Sequence, residues 1–197
     1  MTDQESPLLQ IRGERVGLGP LRRDLVPLYW RWANDFDYSR TTGSPGLTLS
    51  LEHMTRMYDA VVADEQTVPF VIYDLATGQA IGTTALEHLD LRNRTAEYSI
   101  GIGEAAYRGK GYGTETTRLM LDYAFTVLGL HSVILSVYTF NAAGRRAYEK
   151  AGFRDCGHRR ESRWMGGRWW DTIYMECLAS EYTSPVLQGV FTPDAPT

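Results

Sequence analysis

The segment with the clearest chemical potential is Arg108-Gly109-Lys110-Gly111-Tyr112-Gly113, where three glycines alternate with larger residues. Glycine has no Cβ, so a ligand can approach the main chain closely at such positions. The first turn of a helix adds N–H groups without helical partners and a partial positive charge. If a helix starts here, successive N–H groups converge on one anion, and Arg108 and Lys110 add charge. We therefore predict a diphosphate-binding loop.

The elements expected on either side of the loop agree with this prediction. A strand is predicted over residues 96–103, since its apolar and polar residues alternate. One face holds Tyr98, Ile100 and Ile102, and the other holds Glu97, Ser99 and Gly101. After the loop, apolar residues recur with a period near 3.6 as far as Leu128, which predicts an amphipathic helix ended by Gly129. A strand, a glycine-rich loop and a helix in succession favour phosphate binding over a turn that only starts a helix.

Two other phosphate motifs compete with this interpretation. Residues 101–106 fit the dinucleotide pattern G-x-G-x-x-A, which would suit a nicotinamide-dependent oxidoreductase. However, these glycines lie within the predicted strand rather than after it. The P-loop pattern fails, because it requires a glycine where Glu104 stands and a hydroxyl residue where Gly111 stands. The oxidoreductase is kept as the weaker alternative.

The remaining pattern predicts one α/β (α+β) domain with a mixed, mostly antiparallel sheet, in the order β-α-α-β-β-β-α-β-α-β-β. Residues 8–19 are expected to form one strand, Asp24 and Ser50 to cap the next two helices, and Asn141 to cap a helix that ends at Gly152. The other predicted elements are strands 68–75, 80–88 and 132–137, and a hairpin of 153–164 with 168–178 around Gly166-Gly167. We place a flexible N-terminus at 1–7, the domain at 8–179, and an extended or mobile tail at 180–197.

Composition limits the classes of function. The chain has 197 residues, 43% of them hydrophobic, and a net charge of −4, so its bulk charge gives no support for a nucleic-acid partner. No apolar run reaches the length of a membrane span. Cys156 and Cys177 fit neither a metal spacing nor a disulfide framework, and the four histidines are scattered, so we expect no metal and a reducing cytoplasm.

The loop and a second motif resemble those of the GNAT superfamily of N-acetyltransferases, in particular its RimJ/RimL-like branch. The family's (Q/R)-x-x-G-x-(G/A) loop is matched at 108–113, and the stretch Asn141-Ala-Ala-Gly-Arg-Arg-Ala-Tyr148-Glu-Lys-Ala-Gly-Phe153 is similar to a later motif of the branch. The N-terminal segment 29–35 matches as well. The resemblance covers most of residues 8–179 and identifies the superfamily much more firmly than a substrate.

This resemblance implies a seven-stranded mixed sheet with about four helices, whose fourth and fifth strands splay apart to admit the pantetheine arm of acetyl-CoA. It implies that the main chain of Ile100, Gly101 and Ile102 pairs with pantetheine. The loop Arg108, Gly109, Lys110, Gly111, Tyr112 and Gly113, with Thr114, would hold the diphosphate. Asn141 would contact the cofactor arm, and Arg145 could reach its phosphates.

Acetyl transfer to an amine needs a proton acceptor for the amine and a proton donor for the departing thiolate. Tyr148 is the candidate acid, since it lies two helical turns after Asn141 on the same face and the family often has a tyrosine there. Its alternative role is core packing. Glu97 is the candidate base or water-positioning residue, with Ser99 beside it, and its alternative role is a solvated carboxylate.

We therefore predict an acetyl-CoA-dependent N-acetyltransferase without a metal. The acceptor stays open among a protein N-terminal amine, a polyamine, an amino sugar and an aminated antibiotic. An inactive acyl-CoA-binding module is the second hypothesis. Aromatic residues cluster in the last hairpin, at Trp164, Trp169, Trp170 and Tyr174. They are assigned to the core or to a homodimer contact, with a wall of the acceptor pocket as the alternative.

Overall fold

The computed structural model of the chain describes residues 7–43, 46–191 and 193. These residues form two compact units. The first unit runs to Ala85 and includes Ile100–Thr116, and the second consists of Leu86–Ser99 and the chain from Thr117 onward. The part of residues 1–7 expected to be flexible lies outside the described residues, except for Pro7.

Eight strands and six α-helices are present among the described residues. The strands are β1 Ile11–Arg12, β2 Val16–Pro20, β3 Val68–Asp74, β4 Ala80–Asp90, β5 Thr95–Ile102, β6 Ser132–Tyr138, β7 Arg154–Met165 and β8 Arg168–Leu178. The helices are α1 Val26–Ala33, α2 Phe36–Ser39, α3 Leu51–Ala63, α4 Tyr112–Asp122, α5 Ala142–Ala151 and α6 Gln188–Phe191. A π-helix, Tyr123–Val127, continues α4.

The predicted mixed α/β fold is confirmed, with eight strands instead of seven. The additional strand arises because residues 8–19 do not form one strand. The chain turns after Arg12, with the N–H of Gly13 donating to the carbonyl of Val16 at 2.8 Å, and β1 pairs antiparallel with β2. A turn of this kind leaves no periodicity signal, since both arms alternate in the same way as a single strand.

In the first unit, β1, β2, β3, β4 and the end of β5 are hydrogen-bonded in that order. The core beside them is built from one side of α1 and α3 against β3, with Tyr29, Trp32, Met54, Val71 and Tyr73 buried together. Ser50 caps α3 as predicted, its Oγ accepting the N–H of His53 at 3.1 Å. Asp24 does not cap α1, because it lies inside the 3₁₀ turn Arg23–Leu25 and pairs with Arg22.

In the second unit, the order is β4, β5, β6, β8 and β7, and β6 runs parallel to β5 and antiparallel to β8. The predicted hairpin around Gly166-Gly167 is present, and both glycines have positive φ, at 60° and 77°. Such values favour glycine in a two-residue hairpin turn. Gly129 and Gly152 also end their helices with positive φ, as predicted.

The segment after residue 179 differs from the expected extended or mobile tail. The buried carboxylate of Asp122 accepts the N–H groups of Val186 and Leu187 at 2.8 and 2.9 Å, and it also accepts the Ser184 hydroxyl. The Leu187 side chain is 6% exposed. Because a buried carboxylate requires donors, and this segment supplies three, the described part of the tail belongs to the second unit.

Candidate functional site

The glycine-rich loop of the first unit has the geometry that the sequence predicts. β5 ends at Ile102, the 3₁₀ turn Ala105–Tyr107 follows, and α4 begins at Tyr112. Gly109 has φ +71° and Gly111 has φ +90°, which is the left-handed region that side chains with a Cβ rarely adopt. Glycine is therefore required at both positions for the chain to turn into α4 as it does.

The three glycines of the loop have different surroundings. A Cβ placed on Gly109 or on Gly113 would meet no protein atom within 4 Å, so both face open space. A Cβ on Gly111 would lie 2.9 Å from Nη2 of Arg15, which packs directly against it. Two glycines therefore leave room for a ligand, whereas the third makes room for the protein's own arginine.

Arg108, predicted to add charge for phosphate, is engaged at the end of β5. Its Nε donates to the carbonyl of Ile102 at 2.9 Å, and its Nη2 donates to the carbonyl of Gly103 at 2.7 Å and to Asp35 at 3.1 Å. The guanidinium therefore fastens the loop to the strand that precedes it. Lys110 is exposed.

Gly101 and Gly103 do not form a dinucleotide turn. A Cβ on Gly101 would overlap the Tyr38 hydroxyl, and a Cβ on Gly103 would overlap the Trp32 ring. These glycines therefore accommodate aromatic side chains of the first unit. The oxidoreductase interpretation loses its structural basis, since a dinucleotide turn needs its glycines facing the ligand.

In the second unit, the parallel ladder between β5 and β6 covers three residue pairs, Thr95 with Ser132, Ala96 with Val133 and Glu97 with Ile134. Within this unit β5 continues to Ser99 and β6 continues to Tyr138, so the ladder ends at Glu97 before either strand does. Glu97, the predicted base, lies half-buried at this point.

Ser99 pairs with a residue that the sequence analysis missed. Its Oγ donates to Oε1 of Glu87 on β4 at 2.6 Å, and both side chains are half-buried. We expected Ser99 to act beside Glu97 on the same strand. The contact with Glu87 could not be read from the sequence, because it depends on the register between β4 and β5.

Tyr148, the predicted acid, lies on α5 and packs edge-on against two aromatic rings, with centroid distances of 6.3 Å to Tyr98 and 6.2 Å to Phe153. The Tyr98 hydroxyl is 3.0 Å from Oγ1 of Thr117, which fixes the neighbouring ring. Burial raises the pKa of Tyr148 to about 12, so the phenol keeps its proton at neutral pH. The phenol is therefore uncharged at neutral pH, and the raised pKa makes it a weaker acid than an exposed tyrosine.

Two other predicted cofactor residues of the second unit have partners within the protein. Oδ1 of Asn141 accepts the N–H of Gly144 at 3.0 Å and so caps α5. Arg145 lies between two carboxylates, with Nε 3.0 Å from Glu149 and Nη2 2.7 Å from Asp155. Their predicted contacts with acetyl-CoA stay predictions.

The aromatic hairpin exposes Trp164 by 58% and Trp169 by 53%, and the two rings contact each other with centroids 5.3 Å apart. Trp170 is partly covered by Arg168, which lies 3.5 Å above its ring. The first two tryptophans are therefore surface residues and not core residues. This placement leaves a dimer contact or a wall of the acceptor pocket as the hypotheses for them.

Through the described part of the chain, no helix is long and apolar enough to cross a membrane. In the same residues, no cluster of three or more His, Cys, Asp or Glu side chains could hold a metal ion.

A model of the acetyltransferase (GNAT) domain matches residues 15–154. Spermidine N(1)-acetyltransferase of Vibrio cholerae is 32% identical over 133 residues, which are 68% of this chain and 76% of that protein. Alpha/beta-tubulin-N-acetyltransferase 9 of Mus musculus is 29% identical over 153 residues, 72% of this chain and 63% of that protein.

Among solved structures, spermidine N-acetyltransferase from Vibrio cholerae in complex with CoA and spermine matches with a TM-score of 0.79 and 27% sequence identity. The match covers 86% of this chain and 98% of that chain.

Proposed function

Since this chain belongs to the acetyltransferase (GNAT) family, we propose that its loop at 108–113 binds the diphosphate of acetyl-CoA and that the acetyl group passes directly to a primary amine. The predicted GNAT fold, N-acetyltransferase activity and acetyl-CoA donor are confirmed at the level of the family. The observation that carries the proposal is the open space at Gly109 and Gly113 immediately at the start of α4. A helix start of this kind is suited to an anion.

The proposed reaction is a direct acyl transfer. A neutral amine attacks the thioester carbonyl, the N–C bond forms, and the tetrahedral intermediate collapses with loss of coenzyme A thiolate. We assign Tyr148 on α5 as the donor of a proton to that thiolate, since its phenol is protonated at neutral pH and the family resemblance gives a tyrosine this role. We assign Glu97 as the acceptor of the amine proton, directly or through water, since it lies where the β5–β6 ladder ends.

For the acceptor we propose a polyamine of the spermidine type. Its support is the likeness to the spermidine N(1)-acetyltransferase and to the structure that holds CoA and spermine. A protein amine is the second candidate, supported by the likeness to the tubulin acetyltransferase and in keeping with the RimJ/RimL-like branch suggested by the sequence motifs. We further propose that the exposed Trp164 and Trp169 contribute to a homodimer contact.

The test is an acceptor screen with acetyl-CoA, in which the products are followed by mass. Spermidine, spermine, an amino sugar, and a short peptide with a free N-terminus form the panel. We expect acetylated spermidine or spermine at rates well above the other amines. The exposed Cys156 would react with thiol reagents, so mass detection is preferable to thiol-release detection.

Each outcome of the screen separates the hypotheses. Acetylation of the peptide alone would replace the polyamine by a protein amine. Saturable binding of acetyl-CoA without turnover of any amine would favour the inactive acyl-CoA-binding module. Failure to bind acetyl-CoA would contradict the proposed function itself.

A further inference from the structure

Arg15 lies in the turn between β1 and β2, yet its side chain contacts the glycine-rich loop from 95 residues away. Its Nη1 donates to the carbonyl of Lys110 at 2.9 Å. The same guanidinium lies over the Tyr112 ring, 5.1 Å from its centroid, and packs against Gly111. Three consecutive residues of the loop therefore contact one arginine.

Glu115, in the first turn of α4, joins the same arginine on its other side. Its Oε1 accepts the main-chain N–H groups of Arg15 and Val16 at 2.8 and 3.1 Å, and its Oε2 lies 3.3 Å from Arg15 Nε. The Glu115 side chain is 16% exposed, so water screens its charge only in part. The β1–β2 turn is thus fastened to both the loop and the helix.

This carboxylate creates an electrostatic conflict for the proposed ligand. A negative charge in the first turn stabilises a helix by interacting with its dipole. The same charge repels a diphosphate bound at the same helix start. Arg15 lies against Glu115, where its positive charge offsets that repulsion.

A second contact fixes the end of the loop, at Tyr112. The Tyr112 hydroxyl donates to Oδ1 of Asp74 at 2.9 Å, at the end of β3. Burial disfavours the charged form of Asp74, but hydrogen bonds from Thr77 and Tyr112 outweigh it and keep the pKa of that carboxyl below its ordinary value. The first helical residue is therefore fixed from a buried strand, independently of Arg15.

We propose that Arg15 is a positioning residue for acetyl-CoA. It holds loop 108–113 in its ligand-binding conformation and neutralises Glu115, without itself being a ligand of the diphosphate. This inference rests on the proposed function of the same loop. It assigns Gly111 to the arginine rather than to the ligand, which leaves Gly109 and Gly113 as the positions of close ligand approach.

The test is a double-mutant cycle of Arg15→Ala and Glu115→Gln, read by calorimetric titration with CoA and by steady-state kinetics. For R15A we expect the Kd of CoA and the KM of acetyl-CoA to rise roughly tenfold, since the carboxylate is left uncompensated. The kcat and the KM of the amine should stay within about twofold of wild type.

The double variant tests whether Arg15 acts through Glu115. The glutamine introduced by E115Q keeps an oxygen for the N–H groups of Arg15 and Val16 but carries no charge, so R15A/E115Q should recover most of the affinity for CoA lost in R15A. Recovery would support the role of Arg15 in neutralising Glu115. If E115Q strengthens CoA binding by the same factor in wild type and in R15A, the two side chains are not coupled, and the neutralising role of Arg15 is overturned.

Arg15→Lys supplies the conservative variant. A lysine keeps the charge but lacks the planar fork that reaches both Lys110 and Glu115, so we expect an intermediate Kd of about threefold above wild type. Suppose that in R15A kcat falls, that kcat/KM falls equally for acetyl-CoA and for the amine, and that the Tm is lowered. This result would mean general structural damage and would overturn the assignment. Failure of wild type to bind CoA would reject the proposed function instead, so the two failures are distinguishable.

Discussion

Two helices of this protein, α5 and α4, each follow a strand and a turn, and their first turns are fixed in different ways. α5 is capped by its own residue Asn141, whose Oδ1 accepts the N–H of Gly144. The five residues before Thr114 include three glycines and no side chain of a typical capping residue. α4 is instead held by Arg15 and Asp74, which come from other segments.

This contrast indicates which of the two helix starts can accept a ligand. At α5, a Cβ on Gly144 would lie 2.7 Å from the Asn141 amide, so that glycine serves the cap. At α4, Gly109 and Gly113 face open space. A capped start contributes to stability, whereas the first turn of α4 has room beside it for a ligand.

The largest expected effect is that of Gly113→Glu. A carboxylate at this open position should weaken CoA binding by about a thousandfold through repulsion and steric blocking, while the interaction with the helix dipole keeps or raises the Tm. Calorimetric titration and thermal unfolding check both results. The matched control is Gly189→Glu, because a Cβ placed on Gly189 would also meet no protein atom within 4 Å, and this variant should bind CoA normally. An unchanged Kd in G113E would contradict the open start of α4.

Next comes Tyr148→Phe on α5, which should lower kcat by roughly a hundredfold and leave the KM of acetyl-CoA nearly unchanged. In wild type, the pKa of about 12 means that kcat should not fall through loss of this proton between pH 7 and 10. The pH dependence of kcat provides the measurement. A variant with wild-type kcat would assign Tyr148 to packing against Tyr98 and Phe153.

Asn141→Ala tests the capped start of α5. Loss of the cap should lower the free energy of unfolding by about 1 kcal/mol, as measured with urea. The Kd of CoA should stay within about threefold of wild type, because the side-chain oxygen is engaged within α5. A Kd raised more than tenfold would show that Asn141 contacts the cofactor, as the family resemblance predicts, and the contrast between the two helix starts would fail.

The smallest effect is expected for Lys110→Gln. Its side chain is exposed, so its attraction for a diphosphate is largely screened. We expect the Kd of CoA to rise about threefold at low salt and by less at high salt. A larger effect that persists at high salt would make Lys110 a direct ligand.

Local patterns predicted the two helix starts but not what holds them. The loop glycines and Asn141 act within a few residues of their own positions, so their spacing was sufficient. Arg15 contacts residues about 95 to 100 positions away, which no short pattern encodes.

Other differences between the sequence predictions and the structure also arise from contacts between distant residues. The alternation of β5 predicted Gly101 as a polar-face position, but the fold places Tyr38 against it. The tail lacks periodicity because it is anchored by hydrogen bonds to Asp122 and not by an apolar stripe. In each case the structure depends on a contact with a residue that is distant in the sequence. The residues on either side of the position do not indicate which residue that is.

The most direct test of the loop assignment compares two ligands by NMR, following the main-chain amides of residues 109–114. CoA carries the diphosphate and pantetheine does not. We predict saturable shifts of the Gly113 and Thr114 amides with CoA and no comparable shifts with pantetheine. Binding of CoA that leaves these amides unshifted would contradict the claim that the start of α4 holds the diphosphate.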